Sequence, residues 1–164
     1  MNPVKVETSI AKPREDVWEY IADIANMSEY TDHFLSEWHL TRENPRGRGA
    51  GARFRVNSPL NRFSWSDLTI VDAEAPFRLV ARGSGGKMNR IRQLCVITLT
   101  EGNGGNTNVE WTWETIPSKP SDRIMEIVGG AGWWKRRMNK GIRRMKTILE
   151  QDRGRGQRVT VAGG

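Results

Sequence analysis

The sequence has one cysteine, two histidines and no long apolar run, and each shortage closes a class of function. Cys95 alone cannot form an internal disulfide, which agrees with a reducing, cytoplasmic setting. His33 and His39 would share a parity on one extended strand, yet no cysteine or carboxylate pattern surrounds them, so neither a metal site nor a cofactor is expected. No stretch approaches the ~20 apolar residues that a membrane helix needs. The opening Met-Asn-Pro-Val-Lys-Val-Glu lacks an apolar signal core, so export is not expected, and the Asn26-Met27-Ser28 glycosylation pattern then carries no meaning. Gly47-Arg48-Gly49-Ala50-Gly51 joins two strand patterns and precedes no helix, so it lacks the helix terminus that would hold a phosphate.

Excess charge is also missing from most of the chain. Of the net +7, residues 1–134 contribute −1 and residues 135–164 contribute +8. A chain of 164 residues fits one domain, expected over 1–151, and buries roughly two thirds of its unfolded surface. The remainder, 152–164, is basic and glycine-rich and is expected to be unfolded.

What is present is strongly periodic. Val4, Val6, Thr8 and Ile10 alternate with polar residues as in a half-buried strand. Pro13 can open a helix with Glu15 and Asp16 in its first turn, and Val17, Ile21 and Ile24 continue it to Ile24. Asn26 to Asp32 reads as a second, shorter helix. Six further strands follow: Phe34 to Glu43, one through Ala52, Phe54 and Val56, then Phe63 to Asp72, Phe77 to Gly83, Arg90 to Thr100, and Asn108 to Ile116. Phe63 and Trp65 fall on one parity and Leu68 and Ile70 on the other, which predicts a β-bulge near Ser66 and Asp67.

The last element is predicted as a long helix from Ser121 to Gln151. Ile124, Ile127, Ala131, Trp134, Met138, Gly141, Met145 and Ile148 form a small-to-apolar stripe at steps of three and four. Lys135, Arg136, Arg137, Lys140, Arg143 and Arg144 make the intervening surface basic, either a solvated face or a docking surface. Gly129, Gly130 and Gly132 each weaken a helix, so the segment before Trp133 is either a movable first half or a loop.

The order is therefore an α+β fold: a seven-stranded curved antiparallel sheet wrapped around a long C-terminal helix, with two short helices between strands 1 and 2. Several segments also resemble a known family: Val6 to Ile21 followed by Asp23 and Asn26 to Tyr30, Gly49 to Phe54, Val71 to Val80, Gly105 to Trp111, and Met145 to Glu150. In that order and spacing they resemble the SRPBCC, or START-like, helix-grip superfamily that includes birch-pollen allergen, and within it the polyketide cyclase/dehydrase and lipid-transport group. The resemblance implies a cavity between helix and sheet for a lipid, quinone or polyketide.

Trp38, Phe54, Val56, Trp65, Leu79, Trp111, Trp113, Ile127, Ala131, Trp134 and Met138 are the expected cavity lining, although rings of this size can also fill the space solidly. Binding or transport of a hydrophobic small molecule is one reading. An enzyme of the cyclase or dehydratase type is another, with Asp67, Arg82, Tyr30 or His33 moving protons, and for Asp67 and Arg82 a solvent-facing position is the competing fate. Docking of the basic helix face on an anionic membrane or on nucleic acid is a third, with nucleic acid the less expected partner of the two. Cys95 lies in an apolar strand and reads as core.

Overall fold

The computed structural model describes residues 2–58, 64–118, 130–156 and Val159. Strand β1 (Val4–Ile10) leads into helix α1 (Arg14–Ile21), a single 3-10 turn, and helix α2 (Met27–Thr31). Six strands follow: β2 (Leu35–Leu40), β3 (Gly51–Val56), β4 (Trp65–Glu74), β5 (Arg78–Gly85), β6 (Ile91–Glu101) and β7 (Thr107–Pro117). Helix α3 is described over Gly130–Gln151. The strands form one antiparallel sheet in the order β1-β7-β6-β5-β4-β3-β2, so β1 closes against β7 at the edge opposite β2. The sheet curls into a half-barrel that grips α3, the expected α+β architecture.

Local chemistry explains where elements end. Helix α1 stops at Ile21 rather than Ile24 because extended Asp23 accepts a hydrogen bond from the Ala25 amide and starts the 3-10 turn. The β2–β3 loop is tied to the same point, where the Ile24 amide donates to the Pro45 carbonyl. In β2 two residues, Glu37 and Trp38, oppose the single residue Phe54 of β3. Glu37 takes the left-handed φ of 51° and turns outward, so Leu35 and Trp38 share a face although they are three apart.

The buried parity of the strands includes Val6, Ile10, Phe54, Val56, Leu68, Ile70, Leu79, Cys95, Ile97, Leu99, Trp111 and Trp113. Trp134, Met138, Ile142, Met145 and Ile148 of α3 lie against it. Gly141 is where the helix comes closest: a Cβ there would stand 3.2 Å from both the Trp111 ring and the Tyr30 carbonyl.

Three expectations need correction. The bulge of β4 lies between Ile70 and Asp72, not near Ser66 and Asp67. Ser64, Ser66, Leu68 and Ile70 are all buried in unbroken alternation, and the apparent change of phase arises because Trp65 faces outward. Ala131, expected in the lining, is exposed, and it is Trp133 of the same turn that packs against the core. Asp152 to Gly156, expected to be unfolded, fold back onto α2: Arg155 bonds the buried Glu29 carboxylate at 2.8 Å, and the Gly156 amide donates to the Glu29 carbonyl. Arg144 holds the same return through Asp32 and the Gly154 carbonyl. The helix residues expected at Ile124, Ile127 and Gly129, and Phe63 at the start of β4, lie outside the described residues.

Candidate functional site

Alternation places the large rings of β3, β7 and α3 on the concave face, and they meet as a continuous wall. Trp38 lies 4.5 Å from Phe54, Phe54 lies 6.4 Å from Trp113, and Trp113 stacks on Trp134 at 5.2 Å and 21°. Phe34 then meets both Trp134 and Trp133 edge-on. Val56, Leu79 and Met138 are buried in the same cluster. A second aromatic group, Tyr20, Tyr30 and Trp111, lies under α2.

Trp65 does not join the wall. Its register partner is Arg55, and residues paired across antiparallel strands share a face. Arg53 and Arg55 lie over its ring at 5.2 and 5.7 Å, with His39 5.3 Å away, so this aromatic is stabilised on the convex side by cations rather than by burial.

The two adjacent tryptophans of β7 differ in one polar respect. Trp111 donates its indole N–H to Cys95 Sγ at 3.2 Å, while Trp113 Nε1, wholly buried, has no partner among the described residues. Burial pushes the Cys95 thiol up to about 12, so it is a protonated core residue and an inert one.

Gln93 lies on β6 at the parity of Cys95, diagonal to Trp113 and directly opposite Thr115. It is 6% exposed. Its Nε2 donates to Ser66 Oγ at 2.8 Å, and its Oε1 is the other buried atom on this face without a partner among the described residues. Gly85 makes the arrangement possible, because a Cβ at that position would stand 2.2 Å from Ser66 Oγ and 2.8 Å from Gln93 Nε2. Sequence reasoning missed Gln93 and Ser66. The signal was a polar residue at the buried parity of an apolar strand, as in Gln93-x-Cys95-x-Ile97-x-Leu99.

The four proton-transfer candidates are not brought together. Asp67 and Arg82 sit on the convex face, Asp67 paired with Arg53 at 3.6 Å and Arg82 exposed. Tyr30 is fully buried, which raises its hydroxyl well above the ordinary range and keeps it protonated. His33 stands at the α2–α3 junction and its Nε2 donates to the Arg137 carbonyl at 3.1 Å. That bond leaves Nδ1 as the deprotonated atom, buried and unpartnered among the described residues.

Protonating His33 would therefore place an N–H on Nδ1 with nothing to accept it. Burial accordingly lowers its pKa from 6.5, and Lys140 and Arg137 push the same way against the Arg137 carbonyl bond and Asp32. A depressed histidine means that the unfolded chain binds the extra proton first, so stability present above 6.5 is lost as pH falls below it. An NMR titration should place the His33 midpoint below 6.5, and His33→Gln should lose less thermal stability than the parent between pH 7 and 5; a midpoint at or above 6.5 would refute this.

On the basic face of α3, Lys135, Arg136, Lys140 and Arg143 are exposed, whereas Arg137 lies over the Trp133 ring at 5.5 Å and Arg144 pairs with Asp32. The cationic surface is thus narrower than the sequence count suggests. No described helix is long and apolar enough to cross a membrane, and the described residues contain no cluster of three or more potential metal ligands.

Residues 1–150 match the model of a family described as polyketide cyclase/dehydrase and lipid transport. No curated protein sequence matches the chain. Among solved structures, the chain is similar to TTHA0849 from Thermus thermophilus, at 13% identity and a TM-score of 0.68 over 90% of this chain and 96% of that one. It is also similar to DR_A0006 from Deinococcus radiodurans, at 14% identity and a TM-score of 0.63 over 93% and 100%. Truncated norcoclaurine synthase from Thalictrum flavum aligns at 8% identity and a TM-score of 0.66 over 92% and 94%. At these identities the structures attest the fold.

Proposed function

The chain belongs to the polyketide cyclase/dehydrase and lipid-transport family, and from that premise we propose that it binds a hydrophobic small molecule between helix α3 and the concave face of the sheet. The observation that carries this reading is the wall of rings from Trp38 through Phe54 and Trp113 to Trp134. An apolar ligand laid against it gains roughly 25 cal/mol for each Å² removed from water, and aromatic faces add orientation.

Binding is favoured over cyclase or dehydratase chemistry because proton transfer needs a group within hydrogen-bond reach of the ligand. Asp67 and Arg82 are on the other side of the sheet, His33 Nε2 is engaged by the Arg137 carbonyl, and burial keeps the Tyr30 hydroxyl from serving as a base. Native mass spectrometry and solvent extraction of purified protein should recover an apolar compound bound in a defined ratio to the chain. Recovery of none, together with an experimental structure in which the concave face is packed solid, would count decisively against the proposal.

A further inference from the structure

Among the described residues the concave face has two buried polar side-chain atoms without a partner, and they are chemically complementary. Trp113 Nε1 can only donate and Gln93 Oε1 can only accept. A buried polar group without a partner is costly, and most such groups in folded proteins are satisfied. These two are diagonal neighbours on paired strands, and such positions lie about 7 Å apart or somewhat less at Cβ, a span that one oxygen placed between the side-chain ends can bridge.

We propose that Trp113 and Gln93 form a donor–acceptor pair that selects a ligand carrying a neutral hydroxyl at its buried end. This rests on the binding site proposed above and names the class of molecule it takes. A hydroxyl accepts from the Trp113 N–H and donates to Gln93 Oε1, satisfying both atoms with one group. A quinone, ketone or ether oxygen accepts only, so it leaves Gln93 orphaned, and a hydrocarbon leaves both. A carboxylate is worse: the described concave-parity residues around the pair, Phe54, Ser66, Leu68, Cys95 and Thr115, carry no charge to compensate it. The pair therefore discriminates against fatty acids and oxidised quinones and favours phenols and ring alcohols. Ser66 holds the glutamine amide through its 2.8 Å bond to Nε2, which leaves Oε1 as the acceptor for the ligand hydroxyl.

The test uses four probes of one ring system: 2-naphthol, 2-methoxynaphthalene, naphthalene and naphthalene-2-carboxylate, each titrated into 15N-labelled protein. The Trp113 indole resonance is assigned from the spectrum of Trp113→Phe. The expected result is that 2-naphthol binds between about tenfold and a hundredfold more tightly than the other three. It also moves the Trp113 Nε1–H resonance downfield, and in Gln93→Met its advantage over 2-methoxynaphthalene disappears. The wild-type comparison stands by itself even if a variant folds poorly. Binding of all four probes to interior residues without preference, or a naphthol advantage that survives in Gln93→Met and Trp113→Phe, would overturn the hydroxyl assignment while leaving the binding site intact. If no probe moves any interior resonance, the site itself is wrong and the assignment falls with it.

Discussion

Gly83→Ala is expected to destabilise the protein by roughly 3 kcal/mol or more. Gly83 lies in β5 between Leu68 of β4 and Gln93 of β6. A Cβ at this position would stand 1.7 Å from the Asp67 carbonyl oxygen, 2.8 Å from its carbon and 3.1 Å from Leu68 Cα. All three are backbone atoms, so no side chain can rotate away and the methyl has to push two paired strands apart. Overpacking that side chains can absorb costs about 1–3 kcal/mol, and a backbone clash belongs at or beyond the upper end. In a domain of this size that corresponds to a fall of roughly 6–12 °C in melting temperature. A melting curve unchanged by the substitution would mean that β4 and β5 separate without cost.

Trp111→Ala should cost about 3–5 kcal/mol, the range for removing a fully buried aromatic. The ring is inaccessible to solvent, meets Tyr30 edge-on at 5.7 Å, and is the surface on which α3 rests at Gly141. Gly141 has no side chain to lean into the hole, so the cavity lies between helix and sheet and cannot collapse without moving the helix. The Cys95 sulfur loses its indole partner as well. Trp111→Phe keeps most of the ring and should lose clearly less. Denaturant unfolding of both variants measures the difference, and equal losses would place the energy in the indole N–H rather than in packing.

The element order was readable because period-two and period-3.6 patterns are each imposed by one buried face, and every strand of this sheet has one. Trp65 was misplaced for the same reason that the pattern usually works: hydrophobicity alone sends tryptophan inward, whereas Arg53 and Arg55 give this one a stable outward position. Trp38 is on the expected face only because Glu37 adopts a left-handed turn, a conformation with no signature in a glutamate. The polar pair was hidden by the converse bias, since a glutamine or serine on a strand is ordinarily read as solvent-facing. The docking of Arg155 on Glu29 joins residues 126 apart, and composition near the end of a chain contains no information about such a partner.

The stacked Trp113–Trp134 pair makes the protein its own optical probe. Two indoles lying 5.2 Å apart and nearly parallel share their ultraviolet excitation, one ring carried by the sheet and the other by the helix. Pairs within one element, Trp111–Trp113 and Trp133–Trp134, add a constant contribution beneath it. Any guest that parts the stacked rings, or any tilt of α3 against β7, changes their shared signal, so circular dichroism in the indole bands responds to the separation of helix and sheet without a label being attached.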